Sequence, residues 1–389
     1  MVPFEYYNPT KILFGEGKIA KLGKEIAKSG VKKVLLHYGK GSIFKNGVYD
    51  QVVETLKKHN IAYVELGGVK PNPVISKVQE AIKLISEENI DGIIAVGGGS
   101  VIDSAKAIAA GSKYDGNVWD FFEGKAAPES AIPLFVVLTL SATGSEGNPF
   151  GVVTKEEENK KWAFSGGVHT FPRVSVIDPT VQFSLPANQT VNGAIDAMSH
   201  IFELYLDGTP ENDAIEAYAE GLLKSLMKHV KVLLEQPYNL ESRSQLALCA
   251  MLALNGTTRI GRLGGDWATH TIEHSVSAFY DIPHGEGLSI LFPAWMMYNL
   301  DIASPKLAKL GGALFGIDEG SDKKSAIQFI HKLREFYSEI GAPVTLSERA
   351  VSRDMLPTLA ENAAIIAPIG RLKKLYKEDI LNIYKLAYE

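Results

Sequence analysis

Two short windows of the sequence concentrate side chains that bind divalent metals. Asp196 and His200 are four residues apart, as are His270 and His274, and His284 follows soon after. Positions i and i+4 lie on one face of a helix, so both side chains of a pair can reach one site. Imidazole and carboxylate groups suit iron(II) or zinc. The spacing therefore predicts a divalent-metal site, although a structural ion pair is an alternative for Asp196 and His200 alone.

One aspartate and four histidines are more than a four-coordinate site with room for a substrate can use. One histidine must therefore support the site from outside or carry protons, and the spacing leaves open which one. Pro283 should interrupt the helical pattern around it, which places His284 at or near the start of the next helix.

A glycine run marks a candidate phosphate-binding loop. Gly97–Gly99 follows the apolar segment 91–96 and precedes a helical pattern. Glycines let the backbone approach a pyrophosphate, whose charge is attracted by the amides at a helix start. Ser100 and Asp103 have the spacing of a helix-capping pair. The segment is neither G-x-G-x-x-G nor a Walker loop, so a tight strand-to-helix turn is the alternative to a nucleotide site.

Two further loops follow apolar segments and suit the same cofactor. Segment 139–146 carries hydroxyls and little side-chain bulk, which suits a ribose and a diphosphate. Segment 38–42 lacks the acidic residue that commonly binds the ribose 2′-hydroxyl of NAD, and Lys40 with Ser42 could face a 2′-phosphate. These loops favour NADP(H) over NAD(H).

The elements that position these residues divide the chain in two. Up to about Leu185, strand patterns alternate with helical ones, which predicts a mostly parallel sheet covered on both faces. The predicted strands are 32–38, 62–66, 91–96, 133–140 and 174–177, and the predicted helices are 48–59 and 73–88. After Pro186 the apolar positions follow a helical period. The helices predicted there are 192–206, 211–235, 240–259, 267–280 and 325–340. We therefore expect an α/β dinucleotide-binding domain at 1–185 and an all-helical metal-binding domain at 186–389.

The composition excludes several classes of protein. The 389 residues are 46% hydrophobic and 22% charged, and the net charge of −5 argues against a nucleic-acid binder. The single Cys249 excludes an intrachain disulfide and a zinc ribbon, so any metal must be held by nitrogen and oxygen. We find no signal peptide, and the longest apolar stretch, Ala131–Ala142, is shorter than the about 20 residues of a membrane helix. A soluble, cytoplasmic enzyme with no membrane or nucleic-acid partner is expected.

Taken together, the motifs resemble the iron-containing (group III) alcohol dehydrogenases. The most specific parts are Gly97–Ala109, Leu138–Glu146, Asp196–His200 and His270–Gly285, and the likeness covers essentially the whole chain. It is strongest to the butanol dehydrogenase branch, which reduces aldehydes with NADPH or NADH. The resemblance implies the fold that this family shares with dehydroquinate synthase, and a homodimer.

The resemblance also assigns roles. It places the metal, with Fe²⁺ favoured and Zn²⁺ possible, on Asp196, His200, His270 and His284, and makes His274 the proton relay near substrate and nicotinamide. The residues it places at the cofactor are Gly39, Gly41, Ser42, Gly97, Gly98, Gly99, Ser100, Thr139, Thr143 and Lys161. Segment 147–149 departs from the apolar continuation usual in the family, which puts substrate contacts there in doubt.

The implied reaction is NAD(P)H-linked interconversion of small aldehydes and primary alcohols such as butanal and butanol. A glycerol dehydrogenase-like enzyme and a 3-dehydroquinate synthase-like lyase are the alternatives on the same fold. The lyase needs several basic residues for a phosphorylated substrate, whereas the metal windows offer only Arg259 and Arg262. A catalytically silent nucleotide- or metal-binding protein is the alternative of a different class.

Overall fold

The computed structural model describes all 389 residues, which form two compact units. The sheet unit comprises Tyr7–Pro186 and Pro237–Met251, and the helical unit comprises Met1–Tyr6, Ala187–Gln236 and Leu252–Glu389. Two short pieces of chain thus belong to the unit opposite to the one their sequence position suggests. The predicted domain limits, 1–185 and 186–389, remain a prediction.

The sheet unit contains eight strands: β1 (Lys11–Phe14), β2 (Lys33–Tyr38), β3 (Ala62–Leu66), β4 (Gly92–Gly97), β5 (Leu134–Leu138), β6 (Phe150–Lys155), β7 (Lys160–Ser165) and β8 (Val174–Ile177). Six of them form a parallel sheet at the centre of the unit, in the order β1-β8-β5-β4-β2-β3. β6 and β7 form a separate antiparallel hairpin.

Strands β4, β5 and β8 are buried along their whole length because helices cover the sheet. β4 and β5 are runs of apolar residues with no alternating polar positions, as expected of strands covered on both faces. The helices of this part are α1 (Leu22–Lys28), α2 (Ser42–Lys45), α3 (Val48–Lys58), α4 (Ile75–Glu87) and α5 (Gly99–Gly111). α1 and α3 share one core with alternate residues of β2, β4, β5 and β8, while α4 packs against α5 and α5 against β4.

Three predicted cofactor loops leave neighbouring strands at one edge of this sheet. Tyr38 pairs with Val96, and Gly97 pairs with Leu138, so the carboxyl ends of β2, β4 and β5 lie side by side. From β2 the chain moves to β3 on one side and then to β4 on the other. Open α/β sheets bind ligands at such a reversal, outside the carboxyl ends of the strands.

The helices after the sheet are α6 (Ala187–Tyr205), α7 (Asp213–Glu235), α8 (Leu240–Leu254), α9 (Ala268–Tyr280), α10 (His284–Tyr298), α11 (Leu300–Phe315), α12 (Asp322–Glu339), α13 (Leu356–Ala363) and α14 (Lys377–Leu386). Most of α8 belongs to the sheet unit. The helical unit is built around the almost wholly buried helix α10, which packs against α6, α9, α12 and α14. The sequence of α10 is apolar nearly all round, as expected of a central helix.

The α/β plus helical fold class is confirmed, with local differences. The strand β1 and the β6–β7 hairpin were not predicted. The proposed capping pair is wrong, because α5 begins at Gly99, after Gly98, and no side chain caps it. Asp103 instead accepts hydrogen bonds from the Ser145 hydroxyl (2.6 Å) and the Val152 amide (3.1 Å). None of the helices combines the length and apolar character that crossing a bilayer requires.

Candidate metal centre and cofactor edge

Three helices of the helical unit bring the predicted metal ligands together. α6 carries Asp196 and His200, α9 carries His270, and α10 begins at His284. The start of α10 agrees with the prediction that Pro283 places His284 at the beginning of a helix. The next residue, Gly285, explains how α10 approaches α6 so closely. A Cβ there would lie 2.4 Å from the backbone oxygen of Asn192, so a larger residue would force the helices apart.

Asp196, His270 and His284 form one tight group. One potential ligand atom from each lies within 4.8 Å of the other two. His284 Nε2 and His200 Nε2 are each 3.7 Å from Asp196 Oδ1. The His200 ring stacks on that of His270, with centroids 4.9 Å apart, but His200 is not in the tight group. His274 groups instead with Glu273 and His284.

The polar atoms of this cluster fit a bound cation. Asp196 Oδ1, His200 Nδ1 and His270 Nε2 are buried and have no hydrogen-bond partner in the protein. Leaving such groups unpaired costs about 1–3 kcal/mol each, so the convergence of the Asp196 and His270 side chains needs a compensating ligand. Burial lowers the pKa of His200 to about 3, which keeps its imidazole neutral, as metal binding requires. One carboxylate with neutral imidazoles is a suitable donor set for a first-row divalent metal.

Two buried glutamates beside the cluster were missed by the sequence reasoning. Glu203 accepts a hydrogen bond from His270 Nδ1 (2.9 Å), and Glu273 accepts one from His284 Nδ1. Both glutamates are buried on their helices, where an ionised group needs a specific partner. That placement was the available signal: Glu203 follows His200 by three residues, and Glu273 lies between His270 and His274.

The predicted cofactor loops meet in the sheet unit. The Thr139 amide donates to the Gly97 oxygen at 3.0 Å. A Cβ on Gly99 would lie 2.4 Å from Thr143 Cγ2, and one on Gly98 would lie 3.1 Å from Leu140 Cβ. The close approach of the two loops thus depends on bare backbone at the start of α5. Ser100 lies in the first turn of that helix and is half-buried.

The third loop lies on the other side of the β4 loop. Gly39 and Gly41 follow β2, Gly41 has a φ of 109° that favours glycine, and α2 begins at the exposed Ser42. Lys161 lies elsewhere, on β7 opposite Thr154, and is buried.

A buried lysine supports the second loop from below. Lys106 on α5 donates to Ser145 Oγ (2.6 Å), Asn148 Oδ1 (3.0 Å) and the Phe150 oxygen (2.7 Å). Burial lowers the pKa of this ammonium to about 8. Asn148, part of the segment that departs from the family pattern, thus has a structural task in fixing the loop.

Family sequence models match both parts of the chain. The model of the iron-containing alcohol dehydrogenases matches residues 9–179, and that of the C-terminal region of the Fe-containing alcohol dehydrogenase family matches residues 190–388. The chain belongs to the iron-containing alcohol dehydrogenase family. The predicted enzyme class, an NAD(P)-dependent alcohol dehydrogenase, is confirmed at the level of this family.

Individual members are similar over their full length. The chain is 45% identical to the probable NADH-dependent butanol dehydrogenase 2 of Bacillus subtilis, covering 99% of both chains. It is 36% identical to the NADPH-dependent aldehyde reductase YqhD of Escherichia coli, covering 92% of this chain and 91% of that one. The crystal structure of NADH-dependent butanol dehydrogenase A from Thermotoga maritima superimposes with a TM-score of 0.98 at 45% identity, covering 100% of this chain and 99% of that one.

Proposed function

We propose that this alcohol dehydrogenase reversibly reduces small aldehydes to primary alcohols, using NAD(P)H and a divalent metal bound in the helical unit. The observation that carries the proposal is the convergence of Asp196, His270 and His284 within 4.8 Å, with buried unpaired atoms on the first two. His200, close to Asp196 and stacked on His270, completes the proposed ligand set. Fe²⁺ is favoured by the family, and Zn²⁺ also suits these donors.

The side chains around this centre divide the work. A divalent metal bound here would polarise the substrate oxygen as a Lewis acid. Asp196 brings the negative charge that holds such an ion, and the neutral imidazoles bind it without a proton to lose. His274 is half-buried, with its ring centroid 5.5 Å from that of His284. We assign it the exchange of the alcohol proton with solvent, because an imidazole can both accept and donate a proton.

The loops at the carboxyl edge of the sheet are the proposed cofactor site. The amides at the start of α5, including those of Gly98, Gly99 and Ser100, hold the pyrophosphate. Thr139 and Thr143 flank it from the neighbouring loop, and the predicted ribose contact of Lys161 remains part of the proposal. The preference for NADPH rests on the Gly39–Ser42 loop alone, since similar proteins are named for either coenzyme.

The proposed substrates are short aliphatic aldehydes such as butanal. The names of similar proteins, butanol dehydrogenase and aldehyde reductase, support this class. The scarcity of basic residues near the metal windows, where only Arg259 and Arg262 occur, favours it over a phosphorylated substrate. The homodimer and the cytoplasmic location stay predictions.

A direct assay tests the proposal. The protein is loaded with Fe²⁺ or Zn²⁺, and oxidation of NADPH and NADH is followed by loss of the reduced nicotinamide absorbance with acetaldehyde, butanal and hexanal. We expect turnover with butanal that a chelator abolishes and added metal restores. The His274→Ala variant should bind metal normally and lose rate. Absence of oxidation with every short aldehyde and both coenzymes would refute the proposed function.

A further inference from the structure

Two buried carboxylates each hold the outer nitrogen of a proposed ligand histidine. Glu203 Oε1 accepts from His270 Nδ1 at 2.9 Å, and Glu273 Oε2 accepts from His284 Nδ1. Both glutamates have at most 1% of their surface exposed. Burying an ionised carboxylate is costly unless it is fully bonded, so these two contacts need an explanation beyond packing.

The contacts fix which ring nitrogen carries the hydrogen. A carboxylate can only accept, so Nδ1 of each histidine must be the donor and Nε2 is left with a free lone pair. His270 Nε2 is buried without a partner, and His284 Nε2 lies 3.7 Å from Asp196 Oδ1. Both lone pairs are therefore available to the same ion, and a carboxylate on Nδ1 raises the basicity of a ligating imidazole.

Each of these hydrogen bonds connects two different helices. Glu203 on α6 holds His270 on α9, and Glu273 on α9 holds His284 on α10. Glu203 also accepts from the backbone amides of His270 (3.1 Å) and Trp267 (2.6 Å), which fixes the start of α9. Each ligand is thus oriented by the neighbouring helix, so that helix packing and ligand geometry are coupled.

Space for the second carboxylate is provided by a glycine on α10. A Cβ on Gly287 would lie 2.6 Å from Glu273 Cγ and 2.7 Å from Glu273 Oε1. The Ser277 hydroxyl donates to the same oxygen. His200 differs from the two held histidines, because its Nδ1 is buried without any partner.

We infer that Glu203 and Glu273 are positioning residues that hold His270 and His284 with Nε2 directed at the metal and thereby set metal affinity. The inference deepens the proposed function and rests on its metal site. It also ranks the ligands: Nε2 of His270 and of His284 is oriented before the ion binds, whereas no carboxylate holds Nδ1 of His200.

The test measures Zn²⁺ affinity of the metal-free full-length protein by competition with a chromophoric chelator. Glu203→Gln and Glu273→Gln keep size but remove the charge and one acceptor oxygen, and each should weaken binding about 10–100-fold. Glu216→Gln is the matched control, since Glu216 is a buried carboxylate of the same unit held by Lys306 (2.5 Å) and Lys309 (2.8 Å). It should change the affinity less than twofold.

Two additions separate positioning from general loss of structure. Gly287→Ala leaves every charge in place but displaces Glu273, and should also weaken Zn²⁺ binding. In the zinc-loaded wild type, ¹⁵N-histidine spectra should show strongly hydrogen-bonded Nδ1–H signals for His270 and His284, and each Glu→Gln variant should shift the signal of its own histidine. Folded variants with wild-type affinity and unshifted signals would overturn the inference while leaving the metal site standing. Failure of the wild type to bind Zn²⁺ or Fe²⁺ would overturn the proposed site itself.

Discussion

Two deeply buried histidines, one in each unit, have opposite surroundings. His37 on β2 is fully buried, and both ring nitrogens have partners, the Leu66 oxygen at 3.1 Å and Ser104 Oγ at 2.8 Å. In the helical unit His270 is almost as buried, yet its Nε2 has none. A histidine satisfied by the protein has a structural role, whereas a buried unpaired nitrogen marks a place for a ligand.

The candidate sites differ in the same sense. The metal centre consists of side chains on long helices, while the cofactor edge is mostly backbone at the ends of strands. A cluster of side chains depends on residue type, whereas a backbone site depends on the absence of side chains. Substitutions should therefore affect the two sites in different ways and independently.

The largest effect is expected from removing a held ligand. Loss of a supporting contact to a ligand weakens metal binding about 10–100-fold. His270→Ala should weaken metal binding by more than this, because it removes the ligand nitrogen itself as well as the contact to Glu203. His200→Ala should weaken it less, since no carboxylate holds Nδ1 of His200. Equilibrium dialysis followed by metal analysis measures both.

The control for this comparison lies on the same helix. His274→Ala, four residues from His270, should keep its metal and lose only rate. Full metal content in His270→Ala would show that the ligand assignment is wrong, and loss of metal in His274→Ala would make that residue a ligand.

His37, whose ring nitrogens both have partners, should affect the stability of the protein and not its metal affinity. Burial lowers the pKa of His37 to about 4, whereas an unfolded histidine titrates near 6.5. Between these values the unfolded chain takes up a proton that the folded protein does not, so the free energy of unfolding falls as the pH falls. From pH 7 to pH 5 the contribution of His37 should fall by about 2 kcal/mol.

Urea unfolding of the wild type and of His37→Gln at the two pH values measures this difference. The neutral amide of the variant removes the titration, so its stability should depend less steeply on pH by that amount. Metal affinity should be the same in both proteins. Equal slopes would contradict the assignment of His37 as a neutral structural residue.

The long elements and the metal windows could be predicted from the sequence, because hydrophobic periodicity and ligand spacing are local signals. The strand 62–66 and the helix over 48–59 were predicted nearly to the residue, and four of the five side chains of the metal windows converge. β1 was missed because four residues at a sheet edge show no period. α10 was missed beyond its first residue because a helix buried all round has no polar face.

The remaining errors concern contacts between distant parts of the chain. The Ser100–Asp103 spacing fits a capping pair, but Asp103 finds better partners in Ser145 and Val152, which are more than forty residues away. Likewise Glu203 meets His270 only because α6 and α9 are neighbours. Local spacing can name candidates, but tertiary packing decides which partner each buried polar group takes.

At the cofactor edge a single methyl group should matter. Gly99→Ala places a Cβ against Thr143, and such overpacking costs about 1–3 kcal/mol. We expect the Kd for NADPH to rise about tenfold or more, with Zn²⁺ affinity unchanged. Fluorescence titration with NADPH measures the first and chelator competition the second.

Gly221→Ala is the matched control, because Gly221 lies on α7 with nothing within 4 Å of an added Cβ. That variant should bind NADPH and metal as the wild type does. Parallel loss of metal in Gly99→Ala would show that the two sites are not independent.

The smallest expected effect concerns the choice between NADPH and NADH. It tests whether a side chain, and not only backbone, contributes to binding at the cofactor edge. Lys40 is exposed in the loop after β2, beside Gly39 and Gly41. A solvated charge pair contributes about 0.2–1 kcal/mol, so Lys40→Ala should raise the KM for NADPH up to about fivefold and leave that for NADH unchanged. Lys45→Ala is the control, because it removes the same charge from an exposed lysine at the end of the adjacent α2, three residues beyond Ser42. The effect of Lys40→Ala should shrink with added salt, because screening weakens exposed pairs. An equal change in KM for NADH would place Lys40 at the pyrophosphate, which both coenzymes share. No change in KM for either coenzyme would show that Lys40 does not contribute to the choice between NADPH and NADH.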